Sequence, residues 1–179
     1  KLPNPVVLRS LPFAPPAAQA IIAPRVAPYD VSRKQDTFLF KTDFNINNKN
    51  QTWIRFNQQN FTGTNLENAG PLSAFEHTGN SNVTTTTLTA NLTTTIRSNW
   101  INEFRFQYLR DREPGKSNST APETAVTASA GGINDGTFFF GRNNFSPRET
   151  TINRYQFIDN QTYLWRTHTV KYGVDLLFD

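Results

Sequence analysis

From Thr37 onward the apolar and polar positions alternate with a period of two, the spacing at which successive side chains leave opposite faces of a strand. In TFLFKTDFNI, Phe38, Phe40, Thr42, Phe44 and Ile46 share one face, and Leu39, Lys41, Asp43 and Asn45 share the other. The polar run NNKNQ (47–51) follows. TWIRFNQQNF then returns with Ile54 and Phe56 on one side and Trp53, Arg55 and Asn57 on the other. This pattern predicts a hairpin. A second hairpin is predicted from TTLTANLTTTI, a turn at RSNW (97–100) and NEFRFQYLRDRE (102–113). In the last of these, Phe104, Phe106 and Tyr108 alternate with Glu103, Arg105 and Gln107. A third pairs TTINRYQFIDNQTYLW, with Tyr155 and Phe157 opposite Arg154 and Gln156, with THTVKYGVDLLFD across the turn WRTH. There Val170, Tyr172, Val174, Leu176 and Phe178 oppose Lys171, Asp175 and Leu177.

Between the hairpins, residues 62–81 and 111–136 read as long loops rich in Gly, Asn and Pro, and TFFFGR (137–142) reads as a short apolar stretch. Residues 1–36 hold most of the eleven prolines. Proline fixes φ and lacks a donor, so the segment reads as an extended lead-in with a helical turn or two at 15–23. The expected organisation is therefore a lead-in over 1–36 and three hairpins over 37–179. Short turns alternate with long loops, and strands of about 9–11 residues span a bilayer when tilted. The fold class expected is all-β, an antiparallel meander of about six strands forming part of a transmembrane β-barrel.

Composition strengthens that choice. Hydrophobic residues make up only 36% of the chain, yet 13% is aromatic and 15 residues are Phe. Aromatic rows on a polar frame suit a barrel with a wet inner wall better than a packed sandwich. The net charge of +4 is dispersed, with no basic run of the kind that holds nucleic acid. Cysteine is absent, which excludes disulfides and thiolate metal sites. No stretch of about 18 apolar residues is present for a transmembrane helix. Position 1 is not methionine, so a processed product or a piece of a longer chain is expected.

Several blocks resemble outer-membrane TonB-dependent receptors, most closely the Oar-like group with a carboxypeptidase-regulatory-like domain. They are RFNQQNFTG (55–63), EHTGN (76–80), NEFRFQYLRDREPG (102–115), GRNNFSPRETTINRYQFIDN (141–160) and HTVKYGVD (168–175). The resemblance covers about residues 36–179. It implies a barrel of about 22 strands with a plug, importing bulky nutrients in the bacterial outer membrane. It also implies that this chain is a wall segment, not an enzyme. The partners implied are the remaining barrel and plug, outer-membrane lipid and a TonB-type energy-coupling protein engaged through other parts. Six strands leave two open edges, so copies of the chain are the alternative partners, in an extracellular filament or surface layer. A soluble glycan-binding β-sandwich is the third reading.

On the barrel reading, the lipid-facing row is Phe38, Phe40, Phe44, Phe56, Phe104, Phe106, Tyr108, Tyr155, Phe157, Val170 and Tyr172. The lumen-facing row is Lys41, Asp43, Arg55, Glu103, Arg105, Arg154, Lys171 and Asp175, bracing the wall or lining a solute path. Trp53, Trp100, Tyr163 and Trp165 suit interfacial girdles. No catalytic residue, cofactor or metal is expected. A metal pair would need His77 and His168 together with nearby carboxylates such as Glu76 or Asp175, and His168, which follows a tight turn, reads instead as an interfacial residue. Asp111 and Glu113 among Arg110 and Arg112 read as a rim ion-pair cluster. Asp135 in GGINDG is one carboxylate where calcium needs several oxygens.

Overall fold

The computed structural model describes Arg9 and residues 11–130 and 133–179, leaving aside the side chains of 128–130 and 133–135. Gly131, Gly132 and the side chain of Asp135, on which the calcium candidate rests, lie outside that description. The described residues form eight strands: β1 (Ser32–Asn47), β2 (Asn50–Glu67), β3 (Gly79–Arg97), β4 (Trp100–Ser117), β5 (Thr124–Ala130), β6 (Ile133–Phe140), β7 (Arg148–Trp165) and β8 (His168–Phe178). Six form one antiparallel sheet in the order β1-β2-β3-β4-β7-β8, and β5 pairs with β6. The meander expected from the alternation is therefore present, with a fourth hairpin inserted between β4 and β7.

All three short turns fall where the polar breaks predict them. Only two residues separate β1 from β2, β3 from β4, and β7 from β8. The Asn47 side chain accepts from the backbone N–H of Lys49 and of Asn50, at 2.9 and 3.0 Å, closing the first turn. In the third turn Arg166 adopts φ 56°. Register across β7 and β8 sets Tyr155 opposite Phe178, Phe157 opposite Leu176 and Tyr163 opposite Val170. The alternation thus converts directly into rows shared between strands.

The long-loop expectation needs correction. β2 runs on to Glu67, β3 begins at Gly79 and β4 runs to Ser117, so the five longest strands span 16 to 19 residues. Asn and Thr here serve the ladder. Asn118 donates to the Asn65 and Thr78 side-chain oxygens at 2.8 and 3.0 Å, and Asn80 accepts from the Asn65 backbone N–H at 2.9 Å. Amide side chains that bond backbone and one another replace the apolar pairing that a strand reading looks for. β1 starts at Ser32 because the prolines end at Pro28 and the N–H groups beyond are available to a ladder.

The chain divides into two compact units. The first comprises residues 1–35, 61–83 and 113–149, and the second comprises 36–60, 84–112 and 150–179. Within the first, α1 (Pro16–Ile22) opens with Pro at its first position, where the missing N–H costs nothing. Ala18, Ile22 and Val26 follow at steps of four. They pack with Ala74, Phe138 and Phe140 into the unit's apolar core, flanked by Leu11, Leu72 and Val126. The Tyr29 hydroxyl donates to the Gly70 carbonyl and accepts from the Gly70 N–H, at 3.0 and 3.1 Å. The proline-rich segment is thereby tied to the β2–β3 connection.

Candidate functional site: a two-faced sheet

The second unit separates two kinds of surface on its strands. On one face the rings meet across strands. Phe38 lies 6.2 Å from Phe56, Phe106 lies 5.2 Å from Phe157, and Tyr108 lies 5.1 Å from Tyr155. Phe157 also meets Phe178 edge-on at 6.3 Å, and Trp100 meets Tyr163 edge-on at 6.4 Å. Such pairs contribute about 0.5–1.5 kcal/mol beyond area burial. Much of the row stays exposed, including Phe38, Phe40, Phe44, Phe104, Tyr155, Phe157, Val170 and Tyr172, each above a third of its full surface. In water that would be a costly apolar face.

The other face is a hydrogen-bonded lattice. The Lys41 ammonium reaches Asp43 at 2.6 Å and lies 5.5 Å above the Trp53 ring. Glu103 accepts from the Asn91 amide at 3.0 Å and from the Arg105 guanidinium at 2.7 Å. Farther along the strands, Thr89 donates to Gln107 at 3.4 Å and Thr85 to Asp111 at 2.6 Å. Asp175 accepts from Gln156 at 2.9 Å, and Arg154 grips Asp179 with two bonds of 2.5 and 3.0 Å. Arg55 is exposed on β2. Of the eight lumen candidates, Lys41 with Asp43 and Glu103 with Arg105 pair along one strand, Glu103, Asp175 and Arg154 also bond across strands, and Arg154 takes the Asp179 side chain, which is absent from that set.

Two polar clefts open along this lattice. One, of about 260 Å³, lies among Asp43, Asn45, Gln51, Trp53, Asn91, Thr93 and Glu103. The second, of about 440 Å³, lies among Glu103, Asn160, Thr162, Lys171 and Gly173. Glu103 borders both. Gly173 makes room: a Cβ there would lie 2.4 Å from Asn160 Oδ1 and 2.5 Å from the Asp159 carbonyl. Asn91 and Asn160 were not singled out as wall residues, although their parity assigns them to this face. Asn91 is 4% exposed and held by two strands, since its carbonyl accepts from Thr52 at 2.5 Å.

The remaining candidates separate cleanly. Asp111 takes Thr85 as a partner instead of serving only in an ion-pair cluster with Arg110 and Arg112. His168 opens β8 and packs 6.1 Å from Trp165, at the third turn. His77 belongs to the first unit, stacks on Phe139 at 5.3 Å, and sets Nε2 3.6 Å from Glu123. Burial holds its pKa below the usual histidine value, partly offset by the Glu123 charge and a backbone hydrogen bond to Gly141. Among the described residues no cluster of three metal-ligating side chains occurs. The first unit also holds a site that the sequence reading missed. Glu67, 8% exposed, accepts from the Ser146 hydroxyl and the Arg148 guanidinium.

A search among curated proteins and among solved structures found no match. The family model described as "Outer membrane beta barrel domain" matches residues 3–178. Its length of match agrees with the all-β antiparallel sheet and with a structural, non-enzymatic role in the outer membrane. The chain belongs to the outer membrane beta barrel domain family.

Proposed function

We propose that the chain forms part of the barrel wall of a TonB-dependent outer-membrane receptor of the Oar-like kind, built for nutrient import. The supporting observation is the division of one sheet into an aromatic face and a hydrogen-bonded polar face. A lipid-facing row needs no polar partners, whereas a wall around water or a plug needs many. Phe104, Phe106 and Tyr108 then contact lipid, and Glu103, Arg105 and Gln107 face the lumen. Trp100 and Tyr163, near the short turns, mark the membrane boundary.

The test places spin labels at Phe104→Cys and Arg105→Cys in outer membranes. Oxygen, which partitions into lipid, should relax the first label, and a water-soluble nickel chelate the second. Equal nickel access at both positions would sink the proposal. Energy coupling is checked separately, by whether uptake stops when the proton-motive force is dissipated.

A second reading has its own support. β1 and β8 end the strand order, and all eleven residues of β8 are exposed. Such edges could pair between copies in a filament. The intact mass of the polypeptide purified from cells separates the two. A mass well above 20.3 kDa favours the wall, and filaments built of 20.3 kDa copies favour self-assembly.

A further inference from the structure

We infer that the polar face carries a binding row for a neutral carbohydrate, an inference that rests on reading this face as the lumen wall. Asp43, Trp53, Asn91, Glu103, Asn160 and Lys171 come from six different strands, β1, β2, β3, β4, β7 and β8. The two clefts join this row end to end through Glu103. Six adjacent strands at about 4.8 Å spacing give a row of about 24 Å, long enough for several pyranose rings side by side.

Side-chain chemistry selects the ligand class. Amides and carboxylates each present two hydrogen-bonding atoms, which matches adjacent sugar hydroxyls that both donate and accept. Asn91, buried and engaged by Glu103 and Thr93, positions Glu103 and leaves ligand contact to its neighbours. The Trp53 indole supplies a flat apolar surface for the C–H face of a ring. Glu103 is held in place through one oxygen, since Asn91 and Arg105 both donate to Oε1. Among the described residues no side chain donates to its second oxygen, and none bonds Asn160 or Lys171, so these groups are open to a ligand. Lys41 and Arg105 are already paired with Asp43 and Glu103, so neither cation is left to hold a phosphate or another anion. The two clefts are lined mainly by polar side chains, which suits sugar hydroxyls better than the apolar side chains of a peptide. The glycine at 173 keeps the second cleft open where any side chain would meet Asn160.

The experiment is isothermal titration of the intact polypeptide, purified from outer membranes in detergent. The probes are cellohexaose, maltohexaose and xylohexaose, with inorganic phosphate and a neutral hexapeptide as controls. At least one oligosaccharide should bind. Trp53→Ala and Glu103→Gln should each weaken it about tenfold, and Trp53→Phe should retain most of the affinity. Binding of none of the three sugars overturns the inference. So does affinity unchanged by both Trp53→Ala and Glu103→Gln, or preferential binding of phosphate or peptide. The nickel-access measurement at position 105 keeps the failures apart. Nickel access without sugar binding removes only the carbohydrate row, and absence of nickel access removes the wall reading beneath it.

Discussion

Removing the Arg148 guanidinium should loosen the first unit by an amount that the surroundings of Glu67 set. That carboxylate is 8% exposed, and its two oxygens are shared between Arg148 and Ser146. Gly115 leaves the space they occupy, since a Cβ there would lie 2.6 Å from both the guanidinium and the carboxylate. Arg148→Met keeps the stem's bulk but leaves the charge with one hydroxyl. Breaking a fully buried pair costs about 3–5 kcal/mol. The Arg148 side chain is 24% exposed, so water replaces part of the interaction and about 2–3 kcal/mol is expected. Native-state proteolysis at low protease tracks the open population, and 2 kcal/mol raises it about 30-fold. Adding Glu67→Gln removes the stranded charge and should recover much of the loss. Cleavage of Arg148→Met within a few-fold of the parent would refute the reasoning, because Glu67 would then be adequately solvated without its partner.

Three further outcomes follow from the same geometry. His77 has a folded pKa below its ordinary value of 6.5, mainly through burial. Its contribution to stability is therefore full above pH 6.5 and falls as pH drops toward and through the folded pKa. Proteolytic protection of the first unit should weaken over that window, and His77→Gln should flatten the profile. Gly141 has φ +80°, and a Cβ there would lie 2.1 Å from the Pro122 carbonyl oxygen, so Gly141→Ala should destabilise the unit by about 1–3 kcal/mol. An unchanged protease pattern for that variant would show that the turn relaxes freely. Phe157→Ala removes ring contacts to both Phe106 and Phe178. It should lower the urea midpoint for insertion into lipid vesicles by the equivalent of about 1–2 kcal/mol, and an unshifted midpoint would show that these rings contribute no stability.

The hairpins were legible because a single rule governs them. Side-chain parity assigns Phe104 and Arg105 to opposite faces whatever lies beyond each face, and polar breaks of a few residues mark the turns. The continuation of β2, β3 and β4 was not legible. Asn65, Asn80 and Asn118 carry no apolar alternation, and their ladder is held by amide contacts between residues up to 53 positions apart. The hairpin β5–β6 was hidden for a related reason. The run Phe138, Phe139, Phe140 has no polar alternation, and Phe138 and Phe140 go into the core that α1 closes, while Ala, Thr and Ser fill much of the partner strand. Glu67 gave no signal at all, because its partners Ser146 and Arg148 lie about 80 residues away.

Where the alternation fails, it fails informatively. Parity places Asp159 in the aromatic row, between Phe157 and Gln161, and the register sets it opposite Val174. A carboxylate turned toward hydrocarbon needs a local partner, and the Asn102 amide donates to it from β4. One step toward the turn, the Trp100 indole N–H donates to Gln161 at 2.7 Å, on the same face. These two polar pairs form a short band next to the Trp100–Tyr163 contact and away from the Phe106–Phe157 contact. At the far end of the same face the Tyr108 hydroxyl donates to Asn153 at 3.0 Å, so polar pairs flank the Phe106–Phe157 contact. A sheet whose aromatic face packed against a second sheet would have no reason to place them at its two ends. A sheet that passes from headgroups into acyl chains has such a reason, because water and headgroups are available only near the boundary. The exception to the period of two therefore falls where the membrane reading tolerates it.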